Sequence, residues 1–217
     1  YQLHKHKIAV VGIQEARTQA GSRCTDHYKI FSSGYQQCGR SRHFGCELWV
    51  HKTLPLGKRS DGQLIRLADC KVTITFSESR LLVARFEGSV DLCVVVAHAP
   101  CVSADRHIEE VRQWWTSLTD KIGVGLHSNT VVLIDANAPL ADRETQFFGM
   151  HHAERSNQQG LEFQDFLTSN EFFAPSTFPT HSGSSATWQH PRGDKLRRDF
   201  VLLSRSLHAL CTGSRVC

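Results

Sequence analysis

Five short polar signatures follow or close apolar runs in this sequence: Gln14-Glu15, His98-Ala99-Pro100, Asp135-Ala136-Asn137, Thr187-Trp188 and Asp199. Carboxylates, an amide, an imidazole and a hydroxyl are the groups that hold a hard cation and handle a phosphate, and delivery from strand ends lets them converge. The series points to a metal-dependent phosphoester hydrolase. Glu15 suits a cation such as Mg²⁺, and Arg17 either steers a phosphate or pairs with a carboxylate. Asp135 and Asn137 are one residue apart, so in an extended chain both side chains project to the same side. The aspartate there can position or deprotonate a water while the amide bonds the phosphate. His98 precedes a proline that stops the strand, and its imidazole can stabilise charge on phosphate or protonate a leaving oxygen. Asp199 enters an apolar run, so it needs a partner: a histidine held in orientation, or the neighbouring Arg197 or Arg198. His208 follows too soon after that run to supply the histidine.

Seven short segments rich in Val, Ile, Leu and Phe position these groups as strands: 7–13, 46–51, 71–76, 80–86, 91–98, 130–134 and 198–203. The near-continuous apolar runs 92–97 and 131–134 predict strands covered on both faces. Two helices are expected. One starts after Ser103 as its cap, with Ile108, Val111, Trp115, Leu118 and Ile122 in one stripe and Trp114 at its rim. The other runs from about 159 to 169, burying Leu161, Phe166 and Leu167. Strands in sheets covered by a few helices make a layered α+β architecture.

The 217 residues fit one domain, 1–217. The apolar run 8–13 falls far short of the roughly 20 residues of a membrane span, so no membrane association is expected. Lys and Arg exceed Asp and Glu by four, 25 against 21. The clusters Arg192, Lys195, Arg197, Arg198 and Arg40, Arg42, His43 suit a polyanion. Eight cysteines show no C-x-x-C pair and no zinc spacing, which favours reduced, structural thiols in an intracellular protein.

Taken in order, the series resembles the endonuclease/exonuclease/phosphatase superfamily. The resemblance rests on Ile8 through Arg17, Gly45-Cys46-Glu47-Leu48-Trp49-Val50, Val94 through Pro100, Val131 through Ala138, Ala186-Thr187-Trp188 and Asp199-Phe200-Val201-Leu202. It implies a four-layer α/β/β/α sandwich of two mixed β-sheets flanked by helices. It also implies Mg²⁺ or Mn²⁺ on Glu15, with Asp135 and Asn137 activating water and binding phosphate. His98 takes the place of a tyrosine or histidine, Asp199 orients a catalytic histidine, and Arg17, Thr187 and Trp188 form a substrate-phosphate set in which Thr187 makes a phosphate or backbone contact. Two departures stand out. The family's opening strand, with its metal-binding asparagine, and its closing Ser-Asp-His are expected before residue 1 and after residue 217, and Ile134 stands where the family has glycine. The forms Gln14-Glu15-Ala16-Arg17 and Arg197-Arg198-Asp199-Phe200-Val201 most resemble retrotransposon endonucleases. That implies a DNA-cutting, monomeric domain of a larger polypeptide, acting in the nucleus. The alternatives are a phosphomonoesterase of inositol phosphates or nucleotides, and an inactive nucleic-acid-binding remnant.

Overall fold

A computed structural model describes residues 2–102, 107–123, 129–140 and 143–216, which divide into two compact units, 1–98 and 99–217. In the first unit a short helix α1 (Gln2–Lys5) leads into β1 (Val10–Ile13), followed by β2 (Gly21–Cys24), β3 (Tyr28–Ser32), β4 (Gln36–Cys38), β5 (Ser41–His43) and β6 (Glu47–His51). Strands β1, β6, β3 and β2 form an antiparallel sheet in that order, while β4 and β5 make a separate exposed hairpin. The small hairpin β7 (Gly57–Lys58) and β8 (Leu64–Ile65) precedes an antiparallel ladder of β9 (Lys71–Glu78), β10 (Leu81–Glu87) and β11 (Leu92–His98). All seven residues of β11 are buried, as its unbroken apolar run predicts.

In the second unit, helix α2 (Ile108–Ile122) buries Val111, Trp115, Leu118 and Ile122, the expected stripe, with Trp114 half-buried beside it. His107 occupies its cap position, and Ser103 lies outside the described residues. Strand β12 (Thr130–Asp135) alternates between buried and half-buried positions, so only one of its faces is sealed, short of the two-sided cover its apolar run predicts. Helix α3 (Gln158–Ser169) starts where the Asn157 side chain accepts from the Gly160 amide. Phe166 and Leu167 are buried as expected, but Leu161 is exposed, and Phe163 takes the inward position instead. The Phe163 ring lies 5.2 Å from Trp115 and 5.1 Å from Phe200, tying both helices' apolar sides to the sheet.

The remaining strands are β13 (Phe172–Phe173), β14 (His181–Ser182), β15 (Trp188–Gln189), β16 (Lys195–Leu196), β17 (Asp199–Ser204) and β18 (Ser214–Arg215), with helix α4 (Arg205–His208) after β17. β17 pairs antiparallel with both β12 and β13, so the Asp199 run lies alongside the Asp135 run. Among the described residues no helix is long and apolar enough to cross a membrane. Cys46, Cys70 and Cys93 are buried, and burial raises the thiols of Cys46 and Cys93 to about 12 and about 11, which keeps them protonated and inert. Cys24, Cys38 and Cys101 are exposed.

Candidate active site

In the first unit the chain leaves β1 at Ile13 and enters a loop whose backbone is bent into the left-handed region at Glu15 (φ 54°) and Arg17 (φ 54°). The bend is imposed by the segment before β6. The Ala16 amide donates to Gly45 O and the Arg17 amide to Phe44 O, each at 2.9 Å, and Phe44 is itself left-handed at φ 63°. Gly45 allows this approach, since a Cβ there would stand 2.9 Å from the Arg17 nitrogen. Glu15 and Arg17 pair at 3.1 Å with both side chains about half exposed, so the pair lies open to a ligand. Arg17 is thus paired with a carboxylate, one of the two parts expected of it.

His98, the last residue of β11, is buried and lies edge-on to the Phe44 ring at 5.7 Å. Arg80 sits on that ring at 3.6 Å and donates to His98 O at 3.1 Å. Burial first and the Arg80 cation second lower the His98 pKa to about 4, against a smaller opposing pull from Glu15. The ring is therefore neutral at pH 7. A neutral N–H can stabilise charge on a phosphate, one of the two parts expected of His98.

Glu47 is buried in the same sheet, where Thr18 (2.6 Å), Ser32 (2.8 Å), Trp49 (2.7 Å) and Arg23 (2.8 Å) all donate to its carboxylate. It braces the strand ends that carry the Glu15 loop, a part that sequence reasoning did not assign.

In the second unit Asp135 stands directly opposite Asp199 in the β12–β17 register. One carboxylate oxygen of Asp135 accepts the Asn137 amide at 3.0 Å, and Asn137 is held left-handed at φ 48°. The Asn137 side-chain amide donates to Ala99 O at 2.8 Å, and the Ala99 amide donates to Asp135 O at 2.8 Å. The residue that follows His98 in the chain is thus locked to both members of the Asp-x-Asn pair. Four of the seven left-handed non-glycine residues described are Glu15, Arg17, Phe44 and Asn137. Backbone strain of this kind persists where surrounding structure over-determines it, and it clusters at functional sites.

Thr187 has a positioning part. Its hydroxyl oxygen accepts the amides of Arg198 and Asp199, both at 3.0 Å, and its proton goes to the Asp199 carboxylate. Of the two contacts expected of it, the backbone one is made, and its hydrogen-bonding capacity is fully used there. Burial of the Asp199 carboxyl raises its pKa, and the Thr187 hydroxyl bond partly offsets this. Neither arginine beside Asp199 is its ion-pair partner in the way the sequence suggested. Arg198 pairs with Glu154 at 3.1 Å. Arg197 is buried and donates to His151 O at 2.9 Å and Ser185 O at 3.3 Å, while its amide donates to Glu154 at 2.6 Å. Trp188 is exposed on the β15–β16 hairpin, which turns back through Arg192 and Lys195. His208, set aside in sequence, stacks on Phe173 at 4.0 Å. Arg80, Phe44, Glu47 and Glu154 are the residues sequence reasoning missed as parts of these clusters. All four act through partners distant in sequence, and only the left-handed turn before Gly45 had a local signal, the glycine itself.

No family model matches the chain, and no curated protein does. Solved structures do. An AP endonuclease from Archaeoglobus fulgidus matches with a TM-score of 0.58 at 15% identity, over 95% of this chain and 80% of that one. An endonuclease/exonuclease/phosphatase family protein from Leptotrichia buccalis matches with a TM-score of 0.54 at 8% identity, over 94% and 79% of the two chains. A mannosyl-6-phosphatase from Bacteroides thetaiotaomicron matches with a TM-score of 0.54 at 11% identity, over 94% and 74%. At these identities the likeness is one of fold: the chain shares the layered α+β fold of these solved structures.

Proposed function

We propose that this chain is a divalent-metal-dependent phosphodiesterase that nicks DNA. The observation that carries the reading is the opposition of Asp135 and Asp199 across β12 and β17, with Asn137 pinned in a left-handed turn beside them. Like charges directly opposite in a ladder are destabilising, so the pair suits a site that takes up a cation or a proton. In the second unit the carboxylates of Asp135 and Asp199 offer oxygen, the chemistry that fits Mg²⁺ or Mn²⁺ rather than a soft metal, and the resemblance makes Glu15 the metal carboxylate of the first unit. When bound, such a cation polarises the phosphate and offsets its developing charge.

The chain's own groups divide the remaining work. Glu15 is the first unit's carboxylate for the cation. Asp135 orients the attacking water and takes its proton as the new P–O bond forms and the bond to the leaving sugar oxygen breaks. By the same resemblance Asn137 and the neutral His98 are phosphate donors, and Arg17 is a phosphate contact. Thr187 holds the start of β17 so that Asp199 faces Asp135, and Trp188 is offered to the nucleotide.

A DNA substrate is supported by the net charge of +4 and by the exposed cations Arg40 and Arg42 on the β4–β5 hairpin and Arg192 and Lys195 near Trp188. The retrotransposon-like placement belongs to the same proposal, with nuclear action as a monomeric domain of a larger polypeptide, and rests on the forms of the first and last signatures. A phosphomonoesterase is the second reading, favoured by the fold shared with the mannosyl-6-phosphatase.

The test is incubation of the chain and its Glu15→Gln variant with supercoiled plasmid and Mg²⁺, beside small phosphomonoesters. Nicking that is lost in the variant supports the nuclease. Release of inorganic phosphate from small esters without nicking moves the assignment to the phosphatase. Salt-sensitive DNA binding without either product makes it a binding remnant.

A further inference from the structure

Outside these signatures, His4 of α1, His27 of the β2–β3 turn and His51 at the end of β6 bring their ring nitrogens within 4.8 Å of one another. His4 Nδ1 and His51 Nε2 are 2.8 Å apart, and the His4 and His27 rings stack at 3.8 Å, 2° from parallel. His51 is buried, His27 half-buried and His4 partly exposed. A metal is the first occupant to consider, and the hydrogen bonds around His51 argue against one. Its Nδ1 accepts the amides of Thr53 at 3.1 Å and Leu54 at 3.0 Å, so the proton of the neutral ring sits on Nε2. Metal-ligating histidines show the opposite polarity, donating from the second nitrogen so that the first has a lone pair for the metal.

With its proton on Nε2, His51 donates to His4 Nδ1, and one protonation state satisfies every contact: both rings neutral. A proton added to His51 goes to Nδ1, against two amide N–H groups. A proton added to His4 goes to Nδ1, against the His51 N–H. The titratable groups facing His51 are His4 from α1, His27 from the β2–β3 turn, and Tyr28 from β3, whose ring is edge-on at 4.9 Å and whose hydroxyl donates to Ile8 O. Burial first, and then the charges of His4 and His27 when protonated, lower the His51 pKa.

We propose that the His4–His51 bond, stacked on His27, is a proton-operated latch that holds the segment before β1 at neutral pH and releases it in mild acid. Proton uptake by a group that is neutral only in the docked state raises the released-to-docked ratio about tenfold for each pH unit below its titration point.

Heteronuclear NMR on the chain tests this by following the His51 ring nitrogens and the amides of residues 3–9 from pH 8 to pH 5. The latch requires the Nε2–H form of His51 at pH 8 and one acid transition shared by the ring and the segment amides. In His4→Gln, which leaves buried His51 in place, the segment amides should lose that transition while the Thr53 and Leu54 amides keep their neutral-pH positions. An Nδ1–H form of His51 at pH 8, or segment amides that are unchanged across the range, overturns the latch. So does stoichiometric Zn²⁺ binding at neutral pH that moves the ring resonances of all three histidines, which would make the cluster a metal site.

Discussion

Replacing Glu47 by glutamine removes one charge while keeping the side chain's shape, and the structure sets the size of the effect. The Glu47 residue is 2% exposed. Burial alone would raise its pKa, but the donors Arg23, Thr18, Trp49 and Ser32 prevail and lower it from 4.5 to about 2. At about 1.4 kcal/mol per pH unit this corresponds to about 3 kcal/mol of folding free energy. Because the Arg23 side chain is 45% exposed, solvent screening brings that to about 2 kcal/mol. Glutamine also turns an NH₂ group towards donors, leaving at least one unmatched, at a cost of about 1–3 kcal/mol. Glu47→Gln should therefore lose roughly 3–5 kcal/mol at pH 7, measured by urea unfolding. The folded pKa is depressed, so the charge's share is fully present above the ordinary carboxylate pKa and disappears as the pH falls from there towards 2. The gap between wild type and variant should narrow steadily from pH 5 to pH 3. A variant within about 0.5 kcal/mol of wild type at pH 7, or a gap that does not change with pH, contradicts this part for the Glu47 charge.

Gly45→Ala places a Cβ 2.9 Å from the Arg17 nitrogen at a position with φ +99°, so about 1–3 kcal/mol of stability should be lost in thermal unfolding. Its Mg²⁺-dependent nicking, corrected for the folded fraction, should fall as the Glu15 loop is displaced. His98 has a pKa of about 4 in the folded chain, below that of a free histidine, so it contributes stability above about pH 6.5 that is lost as the pH falls towards 4. His98→Gln should flatten that part of the stability profile, and an unchanged slope would contradict the assignment. Thr187→Val leaves the Arg198 and Asp199 amides without their acceptor and should cost about 1–3 kcal/mol, with Thr187→Ser restoring most of it in the same unfolding assay.

The strand ends were legible because burial leaves a plain mark: β11 is apolar throughout, and the polar residue that closes it, His98, marks the place where the run stops. The same logic found β12 and β17 with Asp135 and Asn137 at the end of one and Asp199 at the start of the other, although their register opposition is a property of pairing that no single segment encodes. β2 was missed because all four of its residues are exposed, so it has no apolar pattern and is held only by its ladder to β3. β3 has a buried pattern, but five residues interrupted by Lys29 gave a weak signal. The partners of the candidate residues were the least legible part. Arg80 reaches His98 and Phe44 through tertiary packing, and Glu154 displaces Asp199 as the partner of Arg198 from the far side of α3 in sequence. Thr187 was legible as one of the signatures with a phosphate or backbone part open to it, while its bonds to two amides and to Asp199 depend on pairing that its own segment does not encode.

In the proposed reaction Asp135 takes the proton from water at a phosphodiester. The Mg²⁺-dependent rate of supercoiled-plasmid nicking by wild type and Asp135→Asn decides this, with folding of both verified by thermal unfolding. A folded variant slower by about 10²–10⁴-fold is the predicted result. A folded variant that nicks at the wild-type rate would contradict it.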